Sequence, residues 1–256
     1  VIPARYGSSR FPGKPLVELN GKPMIQHVYE RAVACRSVSS VLVATDDERI
    51  KQAVEAFGGR VVLVAGDYRT GTDRVAAVAR MFAGEYFLDL QGDEIPLNSE
   101  LLTDLIEPFL ESGVGIGTLK RVMDPREDLH NSAVVKVVTD VRGDALYFSR
   151  APIPFVRDDS ERQAIGGLHY IHLGLYIYTK ETLLRFAALP TSRLEDAEKL
   201  EQLRALDHGI PIRVWETKHA SLRVDRPEDV PDVAERLQQY EVVRRELQNS
   251  GVFFKR

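Results

Sequence analysis

Three cations, Arg5, Arg10 and Lys14, fall within Pro3–Leu16, a stretch that otherwise offers Ala4, Gly7, Ser8 and Ser9 with free backbone amides. Backbone N–H groups in a Gly/Ser loop, with fixed cations beside them, make a cradle for a triphosphate. The spacing is not that of a Walker loop, which needs Gly-x-x-x-x-Gly-Lys-Ser/Thr. An ordinary solvated loop has a similar composition. A second constellation, Gln91-Gly92-Asp93-Glu94, follows the apolar run Tyr86–Leu90 directly. An aspartate at a strand tip facing a phosphate loop is where nucleotidyl transfer holds Mg²⁺; a turn or helix-start carboxylate is the alternative. Asp225 is the partner of Asp93 in the first reading and the cap of a helix starting at Pro227 in the second, and the two roles are compatible.

Three further segments carry weaker signals. Arg150, at the end of Tyr147-Phe-Ser-Arg150, has the planar fork to clamp a carboxylate, or to form a surface ion pair. His172, in His172-Leu-Gly-Leu-Tyr176, offers a ring nitrogen to a hydroxyl, or is a satisfied strand histidine. Along Leu194–Arg204 the leucines suggest one apolar face, with Glu195, Glu198 and Glu201 on a polar one. A charged face of this kind is usually a solvated one.

The elements that must position these groups follow from periodicity. Val1-Ile2 reads as a strand fragment, and Pro23–Cys35 has helical spacing. A strand at Val41–Ala44, a helix from Asp46 to Phe57, a strand at Arg60–Val64 and a helix from Thr72 come next, followed by the strand Tyr86–Leu90. Strands alternating with helices argue for a parallel sheet covered on both faces, with ligands beyond the carboxyl ends of its strands. The second half reads as the strand pair Val134–Val138 and Ala145–Phe148, the strand His172–Thr179, helices at Lys180–Ala188 and Arg193–Asp207, the strand Ile212–Trp215 and a helix from Pro227 to Leu247. The expectation is one α/β domain over residues 1–256, with a smaller mixed-sheet insertion at 120–190.

Composition bounds the function. The chain has 256 residues, 34 Lys and Arg against 38 Asp and Glu, and a formal charge of −4. Without a basic excess, a general nucleic-acid binder is not expected. The lone Cys35 excludes an internal disulfide or a cysteine metal cluster. No apolar run approaches the roughly 18 residues of a membrane span, and no secretory leader is read ahead of the first strand. These readings point to a cytoplasmic, soluble enzyme.

Taken together, the segments resemble the 3-deoxy-manno-octulosonate (KDO) cytidylyltransferases, also called CMP-KDO synthetases. The resemblance rests on nine stretches in the family's order: IPARYGSSRFPGKPL at Ile2–Leu16, GKPMIQHVYERA at Gly21–Ala32, VATDDERI at Val43–Ile50, GTDR at Gly71–Arg74, LQGDE at Leu90–Glu94, ALYFSRAPIPF at Ala145–Phe155, HLGLY at His172–Tyr176, LEQLRAL at Leu200–Leu206 and VDRPED at Val224–Asp229. It implies a Rossmann-like nucleotide-diphospho-sugar transferase fold with a mostly parallel central sheet, a homodimer whose interface and sugar site draw on the insertion, and Mg²⁺-dependent reaction of CTP with KDO for lipopolysaccharide or capsule synthesis. It further implies that Arg5, Arg10 and Lys14 hold the triphosphate, with Pro3, Ala4, Gly7 and Ser8 in the same loop. Gly71, Thr72, Arg74 and Gln91 would fix the cytidine, and Asp93 and Asp225 would hold Mg²⁺. Arg150, His172, Tyr176, Glu201, Gln202 and Lys136 would line the sugar site, with Arg10, Lys14, Asp93 and Asp225 as the catalytic set. The same chemistry on 8-amino-KDO or another acid sugar, or a catalytically silent nucleotide binder, are the alternatives.

Three departures from the family pattern stand out. Ile95 separates Glu94 from Pro96, and Ile177 stands where a small residue is usual, so that it could reshape the sugar pocket. Arg223 and Arg226 flank Asp225. Two cations pointing inward would weaken a metal site, so both are expected to point outward.

Overall fold

The computed structural model describes residues 1–7, 11–157 and 167–249. The strands Ile2–Ala4, Val43–Thr45 and Val61–Leu63 pair in parallel, in that spatial order. Neighbouring residues of a strand face opposite sides of a sheet, and here both sides are covered. Val43 packs in the core with Met24, Ile25 and Val28 of the helix Met24–Ala34, whereas Ala44 packs with Ala77 and Val78 of the helix Gly71–Met81. Burial on both faces is what makes such strands read as continuous apolar runs. The helix Glu48–Ala56 starts where the Asp47 carboxylate accepts the Arg49 N–H, and Gly71–Met81 starts where the Thr70 hydroxyl accepts the Asp73 N–H.

The strand Tyr86–Leu90 joins two sheets. On one side it receives a hydrogen bond from the amino group of Val1 at Leu88 O (2.7 Å), and Leu90 N–H donates to Val1 O (3.1 Å). On the other side it pairs antiparallel with Tyr170–Thr179. That long strand belongs to a six-stranded mixed sheet in the order Ala145–Ser149, Lys136–Thr139, Tyr170–Thr179, Ile116–Val122 and Arg213–Glu216. The α/β architecture is the expected one, a parallel sheet continued by a mixed one. The mixed sheet is larger than an insertion at 120–190, because Tyr86–Leu90, most of Ile116–Val122 and Arg213–Glu216 lie outside that range. An apolar run signals burial on two faces but carries no information on strand direction.

Two local expectations are corrected. The helix expected over Arg193–Asp207 is two, Arg193–Glu198 and Gln202–Asp207, separated at Lys199 with φ of 53°. Arg204 folds back onto the first helix and donates from Nε and Nη2 to Glu195 at 2.8 Å each, so Glu195 is buried rather than solvated. The turn before the last helix, Val230–Asn249, is organised by Asp229, whose carboxylate accepts the N–H groups of Asp225 and Arg226 at 2.8 Å each. The N-cap position of the short helix Pro227–Asp229 that leads into it is Arg226 rather than Asp225. Among the described residues no helix is long and apolar enough to cross a membrane.

Candidate functional site

Two pockets open beyond the carboxyl ends of Ile2–Ala4 and Tyr86–Leu90, and Gln91 and Asp93 lie on the wall of both. The first, about 160 Å³, is walled by Pro3, Ala4, Arg5, Lys14, Gly71 and Arg74 as well. Gly71 opens a helix there, and a Cβ on it would lie 2.9 Å from Gln91 Oε1 and 3.2 Å from Pro3 Cγ. A side chain here would push the Gln91 amide and Pro3 away from the helix N-terminus, whose free N–H groups favour an anion. Arg74 is buried, donating to Ala4 O (2.9 Å) and in bidentate fashion to Asp46 (3.1 and 2.7 Å), so it braces the pocket floor. Thr72 faces away from this pocket: its hydroxyl, fully buried, lies 2.8 Å from both Asp89 Oδ2 and Glu201 Oε1. Gly7 is exposed, and Ser8 and Arg10 lie outside the described residues.

Lys14 joins the loop to both acidic segments. It follows Gly13, whose φ of 74° turns the chain into the short helix Lys14–Leu16. Its Nζ donates to Asp93 Oδ2 (2.6 Å) and to Val224 O (2.9 Å), while Val224 N–H donates to Asp93 O (3.3 Å). Asp93 and Asp225 are thereby brought onto adjacent, cross-linked backbones. Burial opposes ionisation of Asp93, but the charges of Lys14 and Arg223 outweigh it and hold the carboxyl below its usual range. Arg226 is exposed, as expected, and Arg223 is half exposed too, yet its guanidinium turns back onto the acidic segment. The strand Ser221–Arg223 pairs with Glu94–Pro96 in a register that sets Arg223 opposite Glu94, and Arg223 Nε reaches Asp225 Oδ2 at 3.2 Å. Its own pKa is raised: burial opposes the charge, and Asp93, Asp225 and Glu94 overcome it.

Among the described residues no group of three or more His, Cys, Asp or Glu forms a metal cluster. Mg²⁺ takes hard oxygen donors and is commonly held by one or two carboxylates plus substrate phosphates. Asp93 and Asp225 fit that donor set, with Lys14 and Arg223 now beside them as counter-charges.

The second pocket, about 330 Å³, is walled by Arg150, His172, Tyr176, Glu201, Gln202 and Arg223 among others. His172 accepts or donates at Thr118 Oγ1 (3.0 Å) and packs edge-on to Phe148. Burial, helped by the charge of Arg223, pushes the ring down to about 3, so it is neutral at pH 7. Tyr176 Oη is buried on this wall with no hydrogen-bond partner among the described residues, a group that a ligand hydroxyl would satisfy. Arg150 is partly committed: Nε donates to Glu198 O (2.7 Å) and Nη1 to Ser132 O (2.9 Å). Its charge faces the pocket, but its fork is not open for bidentate clamping as expected.

Lys136 is not on the wall. It is fully buried, with its ammonium donating to Asn131 O (3.1 Å), Val134 O (2.7 Å) and Arg150 O (2.6 Å). All three donors are spent on fixing the segment that presents Arg150. Ile177 is also elsewhere, packed on the opposite side of its strand against Gly117 and away from this pocket. Sequence reasoning named Glu94 and Arg223 without a pocket role and missed Ser221; all three line the pocket, and the hydroxyl of Ser221 donates to Glu94 Oε1 at 2.6 Å. The only available signal was their position beside Asp93 and Asp225.

Comparison with known proteins agrees with this geometry. A family model described as cytidylyltransferase matches residues 1–213. A 3-deoxy-manno-octulosonate cytidylyltransferase of Geobacter sulfurreducens is 50% identical over 244 residues, 93% of this chain and 98% of its own. The chain belongs to the 3-deoxy-manno-octulosonate cytidylyltransferase family. A solved CMP:2-keto-3-deoxy-manno-octonic acid synthetase complexed with CTP superposes with a TM-score of 0.85 at 42% identity, over 93% of this chain and 97% of that one. The inositol-1-phosphate CTP transferase of T. maritima, 13% identical with a TM-score of 0.64 over 94% and 95% of the two chains, shares the fold. Across the family the chain's two pockets therefore sit in a cytidylyltransferase framework spanning nearly its whole length.

Proposed function

We propose that this chain is a nucleotidyltransferase that joins CTP to KDO, releasing CMP-KDO and pyrophosphate. The observation that carries the reading is the meeting of two chemically different pockets at Gln91 and Asp93. The cation-lined pocket, with its helix N-terminus, suits a triphosphate. The second combines the positive charges of Arg150 and Arg223 with the polar tips of Tyr176, Gln202 and Glu201, which suits a carboxylated polyol. The names of relatives about 50% identical support the same pair of substrates.

In this reading the anomeric hydroxyl of KDO attacks the α-phosphorus from the second pocket. The new O–P bond forms as the bond to the bridging oxygen breaks, and pyrophosphate leaves towards Arg5 and Lys14, with Arg10 in the same loop. Preorganised cations at the departing oxygens are the dominant source of rate in such transfers. Asp93 and Asp225 would hold Mg²⁺, which when bound neutralises α-phosphate charge and lowers the pKa of the attacking hydroxyl. Neutral His172 orients sugar hydroxyls without adding charge. We place the enzyme in the cytoplasm as a homodimer supplying lipopolysaccharide or capsule synthesis. The direct test is pyrophosphate release from CTP and Mg²⁺ with KDO, beside 8-amino-KDO, sialic acid and a no-sugar blank. KDO-dependent release abolished by chelator is expected; measurable CTP binding without release on any acid sugar would overturn the proposal.

A further inference from the structure

Asp89 is a lone acid inside the apolar run Tyr86–Leu90 and is fully buried. No role proposed so far uses it. Its Oδ1 accepts the Gln91 amide N–H at 2.8 Å, and its Oδ2 lies 2.8 Å from Thr72 Oγ1. The same Thr72 oxygen lies 2.8 Å from Glu201 Oε1. A hydroxyl has one hydrogen to donate. With both carboxyls ionised, one of the two contacts would set lone pair against lone pair in a buried site, a costly arrangement. The three oxygens are satisfied together only when they share a second hydrogen.

We propose that Asp89 is a carboxylic acid donating to Thr72, which donates to Glu201, and that Asp89 is thereby a positioning residue fixing Gln91 in the nucleotide pocket and Glu201 in the sugar pocket. The substrate roles of the two pockets rest on the reading given above. The surroundings place the proton on Asp89. Burial pushes Glu201 up as well, with the like charge of Asp73, but hydrogen bonds from Thr70 and Thr72 and the charge of Arg204 favour its ionised form. Asp89 faces the charge of Glu201, the hydroxyls of Tyr176 and Tyr178, and the amino group of Val1, which burial pushes down to about 6. Burial first, and then Glu201, push Asp89 up to about 7.

A carboxylic acid offers one donor and one acceptor, and an asparagine amide can reproduce both without titrating. Asp89→Ala is expected to raise the KM for both CTP and KDO at least tenfold at pH 6, because Gln91 and Glu201 lose their common anchor. Asp89→Asn is expected to restore both to within about threefold of the wild type. The wild-type kcat/KM is expected to fall about tenfold per pH unit above pH 7, a limb that reports the free enzyme and that Asp89→Asn removes.

A second readout needs no activity. A carboxyl whose pKa is raised on folding contributes stability at low pH that is lost as pH rises towards about 7. The Tm of Asp89→Asn minus that of the wild type, measured without ligand, therefore becomes more positive between pH 5 and pH 8. A flat difference, or an alkaline limb that persists in Asp89→Asn, would overturn the proposal. A widening Tm difference with no KDO-dependent pyrophosphate release would leave the shared proton standing and overturn the substrate reading instead.

Discussion

Asp93 carries more of the proposed chemistry than any other described side chain, and its environment shows why it stays charged. Lys14 at 2.6 Å and Arg223 offset a burial that alone would protonate it. Asp93→Asn keeps the shape and removes the charge. It is expected to abolish nearly all KDO-dependent pyrophosphate release, at least a hundredfold, while calorimetry still detects CTP binding. Turnover near the wild-type rate would exclude the metal and charge role. His172 gives a prediction of the opposite sign at low pH. Its ring is held neutral down to about 3, whereas the unfolded chain takes up a proton near 6.5. Between those values the unfolded state binds more protons, so stability falls as pH drops. The Tm of His172→Asn is expected to decline less steeply than the wild type between pH 7 and pH 5.

At the scale of elements, the site depends on where helices and turns begin. Gly71 is the clearest case, since its missing side chain is the space occupied by the Gln91 amide. Gly71→Ala is expected to weaken CTP binding about tenfold with a Tm within a few degrees of wild type, read by titration calorimetry and thermal melts. Lys136 behaves differently. Its three backbone contacts hold Asn131–Val134 and Arg150 together. Removing its charge in Lys136→Met leaves buried carbonyls without donors, a loss of about 2–3 kcal/mol, and for a chain of this size a Tm drop of roughly 5–10 °C. The GTDR and QGDE motifs bring Gly71, Gln91 and Asp93 to one pocket wall, because those residues are set by local strand-to-helix turns. Lys136 was misread because a cation in a strand pair looks the same from sequence whether it meets a ligand or a carbonyl.

For the whole molecule, the consequence of the architecture is that one strand, Tyr86–Leu90, serves two sheets and delivers Gln91 and Asp93 to both pockets. Ligand in the first pocket should therefore stabilise the entire fold. CTP at a hundred times its Kd adds about 2.7 kcal/mol, and a Tm rise of roughly 5–10 °C is expected. A melt unmoved by saturating CTP would argue against the nucleotide assignment.

The sequence by itself determined the α/β class, most strand and helix positions, and the identity of the loop and carboxylate motifs. Each of these is encoded over short stretches: apolar runs, helical spacing, and turns marked by Gly, Asp or Thr. Only the tertiary structure decided that Tyr86–Leu90 pairs antiparallel, since burial on two faces is the same for either direction. It also decided that Arg223, half exposed and in register with Glu94, reaches back to Asp225, and that Glu195 is buried under Arg204. Asp89, invisible as a lone acid in an apolar run, owes its proton to contacts with Thr72, 17 positions before it, and through Thr72 with Glu201, 129 positions beyond that threonine. A charge is read from one residue, but the field and hydrogen bonds that give it a task are summed over neighbours that only folding assembles.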